Sequence, residues 1–383
     1  MSITSTLRKI KRDFVKRSKF HRLIKDLNSE VLLTTSFKAN NPKKCFEERT
    51  KVDSDPHIIR RIMEAYNKAI IAQKTFPEPY QVGNEWLPIY KLYMGTITQA
   101  LTTNDARLTS EIYENFMREG CSFGLHGLPV DMNETYFNGR ISKIDGEIYL
   151  HDAIYRYNLW KKLTDNKYSP SDLYMPDYGN PYGYYIDDQF IRVGAEYLHY
   201  YSTKIKELTK SQNGNKVIVE LGGGYGGLGY FLNKNIPDVT YVDFDLPENM
   251  ALTAYYLMSC FPNKKVLLYG EDELNEVTLK KYDIIILPNF EIGKFPTAKA
   301  DLVFNSYSLS EMSAETINAY IPELKRACNT SIFHVNHTEE RDSLKADDFG
   351  IEGEYKLISK NPALWNLGRN ISMDEYEFLY SKI

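Results

Sequence analysis

No apolar run in the 383 residues approaches the roughly 20 needed to cross a bilayer, and the first residues carry no apolar stretch of the secretory-leader kind. Only four cysteines occur, Cys45, Cys121, Cys260 and Cys328, far apart and without a CxxC or metal-ligand spacing. These absences predict a reduced, cytoplasmic chain and argue against a secreted or membrane-spanning one. There is no internal repeat and no low-complexity segment. No acidic cluster convincingly forms a metal site: Asp187-Asp188 reads as a turn and Glu271-Asp272-Glu273 as a solvated loop. Metal dependence stays open, because Mg²⁺ often takes only one or two carboxylates.

What is present begins with length and apolar content. A chain of 383 residues with 43% hydrophobic residues holds a sizeable core, and predicts two domains or one domain with a large extension. Thirty tyrosines stand out, twelve of them between Tyr149 and Tyr201. An aromatic-lined cleft would produce that cluster; so would A/T-rich codons, which enrich Tyr, Asn, Lys and Ile together. Charge is uneven as well. Residues 1–25 hold nine basic side chains and one acid, a local +8 that leaves the other 358 residues at −12 within a whole-chain charge of −4. Leu7, Ile10 and Phe14 share a helical face, so residues 1–27 are a candidate for peripheral association with anionic lipid at the inner face of the membrane. A solvated basic helix on an acidic body is the plainer alternative. Nucleic acid is not an expected partner, since the acidic remainder repels phosphates.

The chain divides into three textures. Residues 1–145 read as helical: Asp55 and Pro56 have the residue types of an N-cap and first position for a helix over 55–75, and two more helices fit within 86–119. Residues 146–210 form a Tyr-rich cap or connector, with a short strand pair around Asp187-Asp188 and a helix over about 193–209. From 211 to 383, β-branched runs alternate with helical stretches, the pattern of a parallel sheet with crossover helices.

Within that last region lies VIVELGGGYGGLGYFLNKN, Val217 to Asn235. A buried strand enters a glycine turn that opens a helix, so a ligand can rest on bare amides at a helix N-terminus. Gly224, Gly226 and Gly229 satisfy GxGxxG, the dinucleotide pattern. Glu220, Gly222, Gly224 and Gly226 satisfy ExGxGxG, the S-adenosylmethionine (SAM) pattern. Glu220 favours the second: a carboxylate suits the cationic sulfonium and ammonium of SAM and opposes a pyrophosphate. The next strand ends in YVDFDLPENM, where Asp243 or Asp245 can accept ribose hydroxyls. Both lie on one face of that strand, and the pattern alone does not choose between them.

ELGGGYGGLG, FDLPENM, YDIIILPNF, FNSYSLSEM, VNH and the earlier GNPYGYYID together resemble the sugar O-methyltransferases of bacterial polysaccharide gene clusters, over roughly residues 175–340. The resemblance implies a class I SAM-methyltransferase fold: a Rossmann-like α/β, mostly parallel seven-stranded sheet with EYEFLYS as an antiparallel closing strand, behind a helical N-terminal region. It implies SAM as cofactor, a carbohydrate acceptor (sugar, nucleotide sugar or glycan), Asp245 as the ribose acid, and Asn289 and Phe290 beside the adenine. Asn305 joins the cofactor-binding set, although it and Asn336 could equally orient substrate or bond to backbone.

Transfer to a sugar hydroxyl is an in-line displacement in which alignment contributes most and a general base adds roughly 10²–10⁴-fold. Glu311, after the strand ADLVFN, and His337, closing SIFHVNH, are the candidates at strand ends; His199 is a third. An acid near a helix start is also favoured by the dipole alone, which weighs against Glu311. His334 and His337, three apart on a strand, point to opposite faces and make a poor metal pair. The alternatives to methyl transfer are an NAD-dependent Rossmann oxidoreductase and a non-catalytic SAM-fold scaffold in a glycan assembly.

Overall fold

The computed structural model describes residues 42–49, 51–83, 86–126, 143–186, 188–212, 214–339, 343–367 and 374–383. The basic segment 1–27 and Asp187 lie outside the described residues.

The N-terminal region is helical. Helix α1, Pro56–Gln73, starts where expected: the Asp55 side chain accepts from the His57 amide at 2.8 Å, and Pro56 fills a position whose N–H has no helical partner. Its Ile59, Ile62, Met63, Tyr66 and Ala69 form one buried stripe. Trp86–Ile89 runs through a π turn, Tyr90–Met94, into α2, Gly95–Thr102, followed by α3, Ala106–Tyr113. The second of these helices stops earlier than its apolar spacing suggests; Phe116–Arg118 and Gly120–Ser122 are single 3₁₀ turns whose Phe116, Met117 and Cys121 are buried. Helix α4, Lys143–Leu163, precedes a two-stranded hairpin, β1 (Gly183–Ile186) and β2 (Gln189–Arg192), turned at Asp188 with φ +63°. Helix α5 is Ala195–Leu208.

The main sheet comprises β3 (Lys216–Leu221), β4 (Val239–Asp245), β5 (Val266–Leu268), β6 (Ile284–Pro288), β7 (Ala300–Ser306), β8 (Cys328–His337), β9 (Tyr355–Pro362) and β10 (Glu375–Lys382), in the spatial order β5-β6-β4-β3-β7-β8-β10-β9. Strand β10, the EYEFLYS segment, runs antiparallel to both neighbours, and the remaining pairs are parallel. The fold is thus the expected Rossmann-like α/β arrangement with a helical N-terminal region. Among the described residues it has eight strands instead of seven, because the three-residue β5 adds an edge beside β6.

Side-chain alternation gives the sheet two apolar faces. Val219, Leu221, Val242, Phe244, Ile285 and Val303 face helix α8, Ala314–Ala327. Ile218, Tyr241, Ile284, Ile286 and Phe304 face the opposite side, toward α6 (Gly227–Asn235), α7 (Pro247–Cys260) and the N-terminal helices, in one continuous core. Two hydroxyls seal that junction: Tyr66 and Tyr90 donate to Glu248 at 3.2 and 2.9 Å. Glu220, Asp243 and Asp245 share the parity of this second face, so the N-terminal region packs on the side where the strand-end carboxylates point.

The chain builds outward from β3 through β4 to β6, then returns to place β7 on the other side of β3. Such a reversal opens a crevice at the carboxyl ends of the two central strands.

Candidate active site

The glycine turn is shaped by close neighbours. Gly222, Gly224 and Gly226 have φ of +82°, +65° and +84°, conformations that disfavour any Cβ. A Cβ on Gly222 would also lie 2.5 Å from Ser308 Oγ, and one on Gly223 would lie 2.6 Å from the Asp243 carboxylate. The turn's amides are held by the next strand: Gly223 N–H donates to Asp243 Oδ1 at 3.0 Å and Gly224 N–H to Asp245 Oδ2 at 2.9 Å.

Three carboxyl groups therefore gather at the ends of β3 and β4, and the structure separates them. Asp243 is fully buried behind the turn, while Asp245 lines a cavity at the strand tips and also accepts from the Leu246 amide and Asn249. Glu220 lines the same cavity and accepts from Tyr241 Oη at 2.5 Å. Burial raises all three above the ordinary carboxylate range. For Glu220 burial outweighs the Tyr241 hydrogen bond, the nearby Asp245 charge adds to it, and the group is pushed up to about 7. For Asp243 the charges of Asp245 and Glu220 reinforce burial; for Asp245 the donated hydrogen bonds partly oppose it.

The cavity has a volume of about 440 Å³, within the range of small-molecule sites. It follows the strand tips from Asn289 after β6, past Asp245 and Glu220, to Ser306 and Tyr307 after β7, His337 at the end of β8 and Glu375 at the start of β10. Six neighbouring strands at about 4.8 Å spacing make that edge about 24 Å long. Arg156 is the one Lys or Arg lining it among the described residues.

At the β8 end, His337 Nδ1 lies 3.2 Å from Asp374 Oδ2. An ionised Asp374 carboxylate only accepts, which assigns the proton of this contact to Nδ1. The His337 amide donates to Ser310 Oγ, whose hydroxyl donates to Asn336. Tyr307, ring 5.6 Å from that of His337, has φ +64°, a conformation a tyrosine rarely adopts. Its hydroxyl donates to Glu375 at 2.6 Å; burial first and the Glu375 charge second keep it protonated well above its usual range. Glu311 also lines the cavity and accepts from Trp86 Nε1 at 2.7 Å.

Of the residues singled out from sequence, Glu220, Gly222, Gly224, Asp245, Asn289, Glu311 and His337 meet in this cavity. Gly226 caps α6 and turns toward Thr253 and Leu257 of α7. Phe290 does not reach the cavity; its ring stacks on Phe76 and meets Tyr269 edge-on. Asn305 lies beneath the floor, donating to the Leu221 carbonyl and Ser308 and accepting from Asn336, so it ties β3, β7 and β8 together. His199 packs against Trp160, which donates to its Nδ1, and burial pushes it down to about 4. His334 stacks on Phe378 and Tyr380, pushed down to about 3 by burial. Of the twelve clustered tyrosines, Tyr197 and Tyr201 line the cavity. Among the others, Tyr149 donates to the Gly183 carbonyl within the cap and Tyr155 ties the cap to the β9–β10 connection by donating to the Leu364 carbonyl.

Sequence reasoning missed Trp86, Arg156, Tyr307, Asn366, Asp374 and Glu375. The acid pair Asp374-Glu375 carried a signal: it opens an antiparallel strand, and only an antiparallel strand begins at the edge where the parallel strands end. Among the described residues no group of three or more His, Cys, Asp or Glu could hold a metal ion, and no helix is long and apolar enough to cross a membrane.

No family model and no curated protein matches the chain. Solved structures similar to it include a SAM-dependent methyltransferase from Aquifex aeolicus, 15% identical over 47% of this chain and 88% of that one, with a TM-score of 0.31. Magnesium protoporphyrin IX methyltransferase from Synechocystis PCC 6803, with bound SAM, is 10% identical over 49% of this chain and 80% of that one, TM-score 0.35. The N-methyltransferase NodS from Bradyrhizobium japonicum WM9, with S-adenosylhomocysteine (SAH), is 12% identical over 48% and 85%, TM-score 0.31. Likeness at this level carries no statement about acceptor or activity.

Proposed function

We propose that the protein is a SAM-dependent O-methyltransferase acting on a sugar hydroxyl, in the synthesis of a surface polysaccharide. One observation carries the cofactor assignment: the glycine turn faces a cavity whose near half presents Glu220 and Asp245 and, among described residues, no lysine or arginine. That donor set suits a cationic ligand and opposes a pyrophosphate. Two buried oxygens without hydrogen-bond partners, Asn249 Oδ1 and Asn289 Oδ1, sit on lining residues beside it and fit the amino and hydroxyl donors of a nucleoside. Glu220 would face the cationic end, Asp245 the ribose, and Asn289 the base. SAM, when bound, supplies an electrophilic methyl group.

The rest of the reaction belongs to this chain's side chains. His337 Nε2 takes the proton of the acceptor hydroxyl, and Asp374 holds the ring in the tautomer that makes this nitrogen basic. Glu311, held by Trp86, contacts the acceptor. Trp86, Arg156 and Tyr197 from the first 210 residues help to shape the acceptor end, while 211–383 bind the cofactor and bring Glu311, His337 and Glu375 to the acceptor. The sugar assignment draws its support from the motif resemblance and from a far wall that mixes aromatic faces, Trp86, Tyr197 and Trp365, with carboxylates.

Calorimetry tests the reading directly. SAH is expected to bind with micromolar affinity and NAD not to bind; the reverse order would refute it. Tritiated-methyl transfer to glycans is expected from the parent protein and lost in His337→Ala, which keeps SAH affinity.

A further inference from the structure

Methyl transfer needs a base, an aligned oxygen and the cofactor, and the far wall of the cavity contains more than this. Glu375 and His337 are direct partners across the β8–β10 pair, and both line the cavity. Side chains of directly opposed residues leave a sheet on the same face with Cβ atoms about 4.5–5.5 Å apart. Glu375 Oε2 accepts from Tyr307 at 2.6 Å and from Asn366 Nδ2 at 2.9 Å. Asn366 Oδ1 in turn accepts from Arg156 at 2.9 Å, and Arg156 Nε lies 3.2 Å from Asp152. A carboxylate is thus held in one orientation beside the base by a chain of partners from the turn after β7, the β9–β10 connection and α4. The tyrosine that holds it occupies the left-handed backbone region, a strain that persists only where the surroundings over-determine it.

Resting on the methyl-transfer reading, we propose that this end of the cavity recognises an uncharged vicinal diol, with the reacting hydroxyl against His337 and the hydroxyl on the neighbouring carbon donating to Glu375. The separation of the two side chains suits oxygens on adjacent ring carbons, each reached by its own partner. A carboxylate accepts only, so the neighbouring position must bring a donor. A phosphate or carboxylate there would face Glu375, with Asp152 already balancing the nearby guanidinium. Glu375 is accordingly a specificity residue, and Tyr307 positions it. The acceptor class that follows is a neutral glycosyl unit with a free cis or trans diol, not one phosphorylated or oxidised beside the methylated oxygen.

The test measures tritiated-methyl transfer from SAM to methyl glycosides of mannose, rhamnose, galactose and glucose, and to their monodeoxy and monophosphate analogues. The parent protein is expected to lose at least ~100-fold in kcat/KM when the hydroxyl next to the methylated oxygen is replaced by hydrogen, and at least as much when it is phosphorylated. Glu375→Gln is expected to lower that discrimination to under about fivefold for the phosphorylated analogue, mainly through KM. Tyr307→Phe keeps the carboxylate but removes the hydroxyl that orients it, and is expected to weaken discrimination against the deoxy analogue about tenfold, which keeps the proposal testable should Glu375→Gln fold poorly. Equal turnover of parent glycoside and neighbouring-deoxy analogue overturns the proposal, as does unchanged discrimination in both variants, or no turnover of any glycoside by protein that binds SAH. Absence of SAH binding would instead sink the methyl-transfer reading itself.

Discussion

Between Glu220 and Asn289 the floor of the cavity is made from one βαβ neighbourhood, the end of β3, its glycine turn and the tips of β4 and β6, while Leu125 arrives from upstream against Gly224 and the Tyr80 carbonyl against Asn289. Between Ser306 and Glu375 it is made from four separate segments, with Trp86 and Arg156 arriving from far upstream. The first end holds carboxylates that touch backbone amides of their own βαβ unit. The second holds side chains that touch one another across strands and loops. A cofactor common to many reactions can be gripped by a local, repeatable unit, whereas an acceptor needs a surface assembled for it.

Substitutions at the two ends should therefore separate binding from turnover. The largest effect is expected from His337→Ala, with kcat lower by roughly 10²–10⁴-fold and SAH affinity unchanged in calorimetry; a parallel loss of SAH affinity would erase the division. Gly222→Ala should do the converse. Its Cβ would meet Ser308 in a backbone conformation with φ +82°, so SAH affinity is expected to fall at least about tenfold, by the few kcal/mol of strain that such a site imposes. Adding Ser308→Gly should recover part of it by removing the contact while the φ strain remains.

A third expectation concerns pH. Glu220 holds its proton up to about 7 in the fold, above the ordinary 4.5. Below the ordinary value both states are protonated and the group costs nothing. Between the two values the unfolded chain has released the proton and the fold keeps it, so stability falls as pH rises; above 7 the penalty is constant. The thermal midpoint of the cofactor-free protein is expected to drop from pH 5 to 7.5, and Glu220→Gln to flatten part of that drop. Saturating SAM should also flatten it, because a cation beside Glu220 favours the ionised form. The smallest effect belongs to Trp86→Phe, which removes the hydrogen bond to Glu311 and is expected to raise the acceptor KM about tenfold, equivalent to about 1.4 kcal/mol, without moving SAH affinity.

Legibility in the sequence follows the same boundary. The helix cap at Asp55, the glycine turn and the alternation of strand and helix are local patterns, and each formed where its residues predicted. Phe290 illustrates the limit of position along a chain: it follows β6 as expected, yet its ring turns into a stack with Phe76, a residue more than two hundred positions away. Asn305 illustrates another: its amide is absorbed in holding three strand ends together. The tyrosine cluster was visible as a number but not as a role, since the same side chain serves core, hydrogen bond or cavity wall according to what packs on it.

By itself the sequence determined the alternation of strand and helix, the glycine turn ahead of α6, and the presence of acids at two consecutive strand ends. Period-2 and period-3.6 patterning and glycine's backbone freedom act over a few residues, so no distant partner is needed to read them. Tertiary structure alone decided that Asp245 faces the cavity while Asp243 lies behind the turn, that Asp374 orients His337, and that Glu375 stands beside that histidine. Those outcomes depend on burial, on cross-strand register and on an antiparallel strand that starts where the parallel ones finish. None of these is a property of neighbouring residues in the chain; each exists only once the sheet has closed.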